Sequence, residues 1–490
     1  MIWPSEQNGG LSTPPRRLNL SVLDMVNRKL IHQSALDILE QVGVMITHAA
    51  VRELLLTAGC REGNKEAMLI PPKLVEQALA DTSAGIALYT RDGDPVVELG
   101  ADTYCLLAAL HVVYLVDDET GLRCSISYED ACEYARLMNQ LDHLDVVGAW
   151  TISDRPPNIA DRYSAHAVIC NSAKPFYLAP LSMAGMQDVH QMCTAVVGGD
   201  EALAEKPFWI TSATGIPPLR FPDFSLDRLL FTAERGIPVV VAPVEMAGAS
   251  SPIDLCGTLA LLVANNLAGI TIGQLHRPGS PLIMGGVGAT MDMRTGLMNY
   301  AGPEFNLLCS GLAEMGRHYN LPVWGTGGCT SAKLFDTQAA AEMTSSLIFA
   351  ILSGGHLIHD VGFLDNGLAT SYQTLLFCNE IASFMRRAGK RLSAGSAESV
   401  MAQIKRAGVD GSYLTSPETM QNFRGLWDSP LMERRSYENW DGDGRPDLNH
   451  RLGCRVKQLL ERSQPDALNP QQQKVLDHIL KACTAGGSTG

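Results

Sequence analysis

The apolar positions change period along the chain. From Leu18 to Thr82 they recur at helical spacing, with Leu23, Val26, Leu30, Ile31, Ala35, Ile38, Leu39 and Val42 forming one stripe that Gly43 stops. A second helix is predicted over Ala49–Ala58. Pro71-Pro72 opens a third through Lys73 to Leu79, because proline is tolerated in a first helical turn. Between Ala84 and Ser125 the period becomes two. Ile86–Thr90, Val96–Leu99, Tyr104–Ala108 and Val112–Val116 alternate with turns such as Asp92-Gly93-Asp94, which predicts antiparallel strands and hairpins. Ser127 then caps a new helix carrying Glu129 and Asp130 in its first turn.

A strand–helix rhythm follows. The predicted strands are Val146–Ile152, Pro175–Ala179, Pro207–Ser212, Pro238–Ala242, Pro281–Met284, Pro322–Gly325 and His356–Asp360. Five of these begin with proline, which is accepted at a first strand residue. Helical stretches separate them, and Tyr372–Ala388 follows the last. The eighth strand is either Tyr104–Ala108 or a short strand near Tyr413. The expected fold is α/β, a TIM (β/α)8 barrel over 141–390. An α-helical and β-hairpin extension spans 18–140 and packs on it, a helical segment spans 391–484, and 1–17 and 485–490 are tails.

Composition narrows the function. The chain has 490 residues, 46% of them hydrophobic, enough for a barrel of roughly 250 residues with additions. A formal charge of -14 argues against a nucleic-acid groove and against an anionic membrane surface. Leu255–Leu275 is apolar but interrupted by Asn265 and Asn266, so it reads as a buried core helix, not a membrane span. Met1–Arg17 lacks the apolar core of a secretory signal. The 12 cysteines are scattered without a CxxC pair, as in a reduced cytoplasmic protein, and no metal site is expected. Gly285-Gly286-Val287-Gly288 reads as a tight loop, since the rest of a dinucleotide fingerprint is missing.

The candidate chemistry lies in the strand–loop–helix–strand unit from Leu321 to Gly367. Thr326, Thr330, Lys333 and Asp336 follow one strand, and His359 and Asp360 end the next, where barrel active sites lie. Alternation puts His356, Ile358 and Asp360 on one face, and Leu357, His359 and Val361 on the other. The apolar pair in the second set assigns it to the helices, making His356 and Asp360 the inward candidates. His359 joins them only if the strand ends before it. Lys333 is a Schiff-base candidate or an exposed ammonium, and Asp336 a catalytic carboxylate or a helix cap. Trp150, Phe208, Trp209 and Trp324 lie in predicted strands, with Tyr104, Phe363 and Tyr372 near strand ends. Singly these are core residues. Together they form an aromatic wall suited to an apolar cation held within about 6 Å of a ring.

Longer motifs carry a resemblance. Gly325–Ala339 (GTGGCTSAKLFDTQA), Leu357–Leu364 (LIHDVGFL), Pro243–Pro252 (PVEMAGASSP), Arg277–Pro281, Met291–Gly296 and Arg434–Trp440 (RRSYENW) occur in order. The similarity covers about Leu18 to Leu460 and resembles the trimethylamine:corrinoid methyltransferase family. The resemblance implies a barrel that moves a methyl group from a methylated amine to the cobalt of a separate corrinoid protein. It also implies a homo-oligomer. Founding members carry pyrrolysine, whereas this chain is written in ordinary residues, as in the branch that resembles glycine betaine methyltransferases. Expected catalytic residues are Asp360, His359 and Asp336. Expected substrate contacts are Trp324, Thr326, Thr330, Lys333, His356, Phe363 and Tyr104. The expected cofactor is a corrinoid held by the partner, with no metal on this chain. The alternatives are a non-catalytic betaine-binding barrel, a lyase using Lys333, or the same transfer from proline betaine, carnitine or trimethylamine.

Overall fold

A computed structural model describes residues 20–390, 392, 395–466 and 468–486; the predicted tail 1–17 and most of 485–490 lie outside them. Eight short parallel strands close on themselves. They are β1 Cys105–Ala108, β2 Val147–Gly148, β3 Phe176–Tyr177, β4 Trp209–Ala213, β5 Val239–Val241, β6 Leu282–Met284, β7 Trp324–Thr326 and β8 Leu357–Val361. Pairing runs from β2 to β6 in sequence order, and from β7 through β8 to β1. Parallel bridges from Leu107 to Val146 and from Met284 to Val323 seal the two remaining seams. Each strand is followed by its helix: α1 Tyr128–Met138, α2 Ala160–Asn171, α3 Met183–Val197, α4 Asp223–Arg235, α5 Leu255–His276, α6 Pro303–His318, α7 Thr337–Ser353 and α8 Tyr372–Ala388. The eighth strand is thus the Tyr104–Ala108 alternative, and the residues around Tyr413 form turns. The barrel opens at Cys105, inside the segment read as an extension.

The barrel interior is filled by Cys105, Leu107, Tyr177, Ile210, Val240, Ile283, Trp324 and Leu357, packed with Ile86, Leu88 and Leu99. Those last three belong to the hairpin Ile86–Tyr89/Pro95–Leu99, whose Tyr89 N–H donates to the Pro207 carbonyl just before β4. The hairpin therefore plugs the N-terminal end of the barrel, and the chemistry is left to the other end.

The apolar helix α5 is the one described helix long and apolar enough to cross a membrane, and most of it is buried inside the fold. It packs against the N-terminal helix Met25–Gln41. Its two asparagines have work within the fold. Asn266 donates to the Gly285 carbonyl at 2.7 Å and accepts from the Gly285 N–H at 2.9 Å, which satisfies a buried turn after β6. Beyond β5 and β6 the chain continues as Val244–Ala247 and Val287–Met291, a small parallel sheet on the rim with Met298–Asn299 paired to its edge.

Candidate active site

Strands β7 and β8 set the site. Trp324 pairs with Leu357 and Thr326 with His359, so the polar ends of both strands reach the mouth together. Between β8 and β1 the register shifts from Ile358 to Val361, and Asp360 sits in the left-handed region at φ 68°. An irregularity of this kind re-aims side chains that strict alternation would send apart. It puts His359 and Asp360, neighbours in sequence, in one network.

Leu357, Ile358 and His359 face opposite to the expectation, whereas Val361, beyond the register shift, is helix-facing as expected. Leu357 packs inside the barrel, whereas Ile358 and Val361 join the helix-facing core. His359 follows Leu357 inward, its ring centroid 4.3 Å from that of Trp324. The expectation failed because the interior of a small barrel is as apolar as its outer layer, so a leucine does not mark the outside. His356 is corrected with it. It lies just before β8, at the plugged end, where its Nδ1 accepts from the Val323 N–H at 3.0 Å. Tyr104 likewise precedes β1, under the Arg386 guanidinium at 5.7 Å, away from the mouth.

At the mouth, His359 Nδ1 meets Asp360 Oδ1 at 2.6 Å and Nε2 meets Thr326 Oγ1 at 2.9 Å. The hydroxyl of Tyr300 donates to Asp360 Oδ2. A carboxylate only accepts, so His359 Nδ1 carries a hydrogen. Thr326 Oγ1 also lies 3.4 Å from the Gly286 carbonyl, so it donates to a neutral ring at Nε2 or, beside a charged ring, to Gly286. The network is complete in either charge state. Asp360 is only 2% exposed. Burial holds the Tyr300 phenol and the Cys329 thiol well above their ordinary pKa, and the nearby Asp360 charge adds to both shifts. Burial pushes the Cys309 thiol up to about 12, with Asp360 again contributing. Asp360 therefore sits near a phenol and two thiols that stay neutral, in a dry setting.

The other expected residues fall into separate roles. Thr330 is buried and donates to Glu342 on α7 at 2.5 Å. Lys333 is exposed and pairs with Asp365 at 2.6 Å, so it is not a lysine inside the barrel. Asp336 is the exposed N-cap of α7, accepting from Ala339 N–H at 2.9 Å. Phe363 is buried in the rim strand Phe363–Leu364, and its carbonyl accepts from the Thr330 N–H. Of the aromatic wall, Trp324 alone lines the interior. Trp150, Phe208 and Trp209 belong to the helix-facing core, where Trp150 stacks on Tyr134 with centroids 3.9 Å apart.

The sequence reading missed four residues. Tyr177 lies inside, its ring 5.1 Å from Trp324, and donates to Ser212 Oγ at 2.7 Å. His111 follows β1 and lies edge-on to Tyr177 at 5.5 Å. Tyr300 comes from the loop after Met298–Asn299. Glu245 is 0% exposed on the rim strand, accepting from Ser250 Oγ at 2.7 Å and Asn265 Nδ2 at 3.3 Å. Burial pushes its carboxyl up to about 7, against the Ser250 hydrogen bond. Glu245 lies within Pro243–Pro252, so that motif was the available signal. The others had none.

Among the described residues no group of three or more His, Cys, Asp or Glu is placed to hold a metal ion. Both ring nitrogens of His359 are engaged within the network. A (β/α)8 barrel with its polar network at the strand ends is an enzyme scaffold, and comparison with known proteins narrows the class.

Residues 8–486 match the trimethylamine methyltransferase (MTTB) family, and the chain belongs to it. It is thereby a corrinoid-dependent methyltransferase of the methylated-amine and betaine class. A trimethylamine methyltransferase of Desulfitobacterium hafniense is 28% identical over 453 residues, covering 92% of this chain and 91% of that protein. A glycine betaine methyltransferase from another strain of that species is 27% identical over 459 residues, covering 93% and 95%. The crystal structure of the Methanosarcina barkeri monomethylamine methyltransferase aligns over 95% of this chain and 93% of its own, at 12% identity and a TM-score of 0.47.

Proposed function

We propose that this enzyme takes a methyl group from a quaternary amine of the glycine betaine type and passes it to the cobalt of a separate corrinoid protein. One observation carries the reading. The buried Asp360 carboxylate, held by His359 Nδ1 and Tyr300, borders the His359 ring, which lies 4.3 Å from Trp324 with Tyr177 beyond at 5.1 Å. A negative charge near aromatic rings in a water-poor setting favours a cation, and because both Asp360 oxygens already accept hydrogen bonds, a cation with no N–H to donate suits it. The reduced corrinoid would supply the nucleophile.

The protein's own share is positioning and exclusion of water. Trp324 and Tyr177 would hold the ammonium, and Asp360 would balance its charge. A quaternary nitrogen leaves as a neutral tertiary amine, so no general acid is required. The protons of the Thr326–His359–Asp360–Tyr300 network are all committed within it, which agrees with such a leaving group. The absence of pyrrolysine from the sequence favours the same branch. Helix Ala397–Ala407 has no buried residue and exposes Val400, Met401 and Ile404, which supports self-association as part of this reading.

The test is methyl transfer to free cob(I)alamin, followed by its visible absorbance. Glycine betaine is expected to react and trimethylamine to fail. Reaction with trimethylamine and no quaternary amine overturns the reading. Binding of a betaine without transfer, even with a reduced corrinoid protein, favours the non-catalytic barrel.

A further inference from the structure

The mouth has a second pole. Arg228, on α4, is 7% exposed and reaches under the ends of two strands. Its Nη1 donates to the Ser212 carbonyl at 2.7 Å and its Nη2 to the Pro180 carbonyl at 2.8 Å. Its Nε is buried and has no hydrogen-bond partner. Among the described residues no carboxylate lies within ion-pair distance of it. Asp161, whose charge acts on it, is committed to Arg162 at 3.0 Å. A buried guanidinium without a counter-ion is costly, and such a group is stabilised by an anion.

Two neighbours share the same face. His111 accepts the Ala179 N–H at Nε2, at 3.2 Å, so its hydrogen is on Nδ1, which has no partner among the described residues. Burial, then the Arg228 charge, lowers the pKa of His111 to about 4, so it stays a neutral donor. Tyr177 donates to Ser212 Oγ, and Ser212 Oγ lies 3.4 Å from Thr214 Oγ1. Tyr177 also joins the two poles. Its hydroxyl is raised by burial, lowered by the Ser212 hydrogen bond and the Arg228 charge, and raised by the Asp360 charge, so both charges act on one residue.

We propose that Arg228, His111 and Ser212 receive the carboxylate of a zwitterionic betaine whose ammonium lies against Trp324 and Asp360. The inference rests on the quaternary-amine reading and sharpens it. The positive pole is built from α4 and the ends of β1 and β4, and the negative pole from β8, so the substrate spans the mouth with its charges matched. Thr330 and Lys333 do not serve, because Glu342 and Asp365 already engage them.

The test compares glycine betaine, γ-butyrobetaine and tetramethylammonium by calorimetry and by methyl transfer to cob(I)alamin. In the wild type at least one zwitterion should bind roughly tenfold to a hundredfold more tightly than tetramethylammonium, the range of a hydrogen bond to a charged group. Arg228→Gln should abolish that preference and leave tetramethylammonium affinity unchanged. Because Arg228 is buried, His111→Asp provides an independent variant. Aspartate tolerates the φ of 51° at that position and puts a negative charge where the carboxylate would lie, so zwitterion binding should fall. If tetramethylammonium binds and reacts as well as either zwitterion, or the variants weaken all three compounds equally, the carboxylate site is overturned while the quaternary-amine reading stands. If no quaternary compound reacts and trimethylamine does, that reading itself fails and the carboxylate site with it.

Discussion

Tyr300 donates its hydroxyl to the Oδ2 of Asp360, tying the loop beyond β6 to the end of β8. Ser331 fixes the same loop by donating to the Tyr300 carbonyl at 2.9 Å. The contact holds a residue in the left-handed region, where a non-glycine residue carries strain. Tyr300→Phe removes the donor and leaves a buried carboxylate oxygen unpaired. We expect a loss of about 1–3 kcal/mol in stability. Urea unfolding of both proteins, alongside their methyl-transfer rates, checks it. An unchanged midpoint would show that Asp360 does not depend on this hydroxyl.

Asp360→Asn separates charge from shape. Asparagine adopts a positive φ readily, so the bulge at β8 should persist. The negative charge beside the His359 ring is lost. A charged contact of about 1.5–3 kcal/mol corresponds to roughly ten- to a hundredfold in transfer rate. Circular dichroism should match the wild type. A wild-type rate would place the charge-bearing group elsewhere.

Glu245 gives the stability a pH dependence. Its carboxyl is at about 7 in the folded protein, mainly through burial, against an ordinary value of 4.5. Between those values the folded state holds the proton and the unfolded state does not. Its favourable contribution is therefore complete below about pH 4.5 and is lost as pH rises through 7. At about 1.36 kcal/mol per pKa unit the loss is of order 3 kcal/mol. Glu245→Gln cannot titrate and should flatten that part of the curve. Denaturant unfolding from pH 5 to pH 8 measures both slopes; equal slopes would contradict the assignment.

The strands and helices that build the site were legible because their period and their proline and glycine boundaries are local. Pro322–Gly325 and His356–Asp360 lie close to the observed β7 and β8. Which face looks inward was not legible, since Leu357 and Ile358 are equally apolar and the bulge at Asp360 breaks the alternation that would order them. His111, Tyr177, Arg228 and Tyr300 come from four distant loops and elements, and no spacing in sequence relates them to Asp360. Asn266 was visible as an interruption of an apolar helix, but its partner Gly285 appears only when α5 packs beneath β6.

Trp324 carries the last prediction. Its ring lies between Tyr177 at 5.1 Å and His359 at 4.3 Å, and it is 4% exposed. It therefore fills the barrel core and presents a face to the proposed ammonium at once. Trp324→Ala would confound the two roles, because truncating a buried aromatic costs about 3–5 kcal/mol of stability. Trp324→Leu keeps more of the apolar volume and removes the π face. A cation–π contact in a desolvated pocket is worth around 2 kcal/mol, or roughly thirtyfold in affinity. Calorimetry with glycine betaine should show that loss in Trp324→Leu, with a smaller loss in Trp324→Phe, which retains an aromatic face. If leucine and phenylalanine bind alike, Trp324 acts through packing and the ammonium is held by another surface.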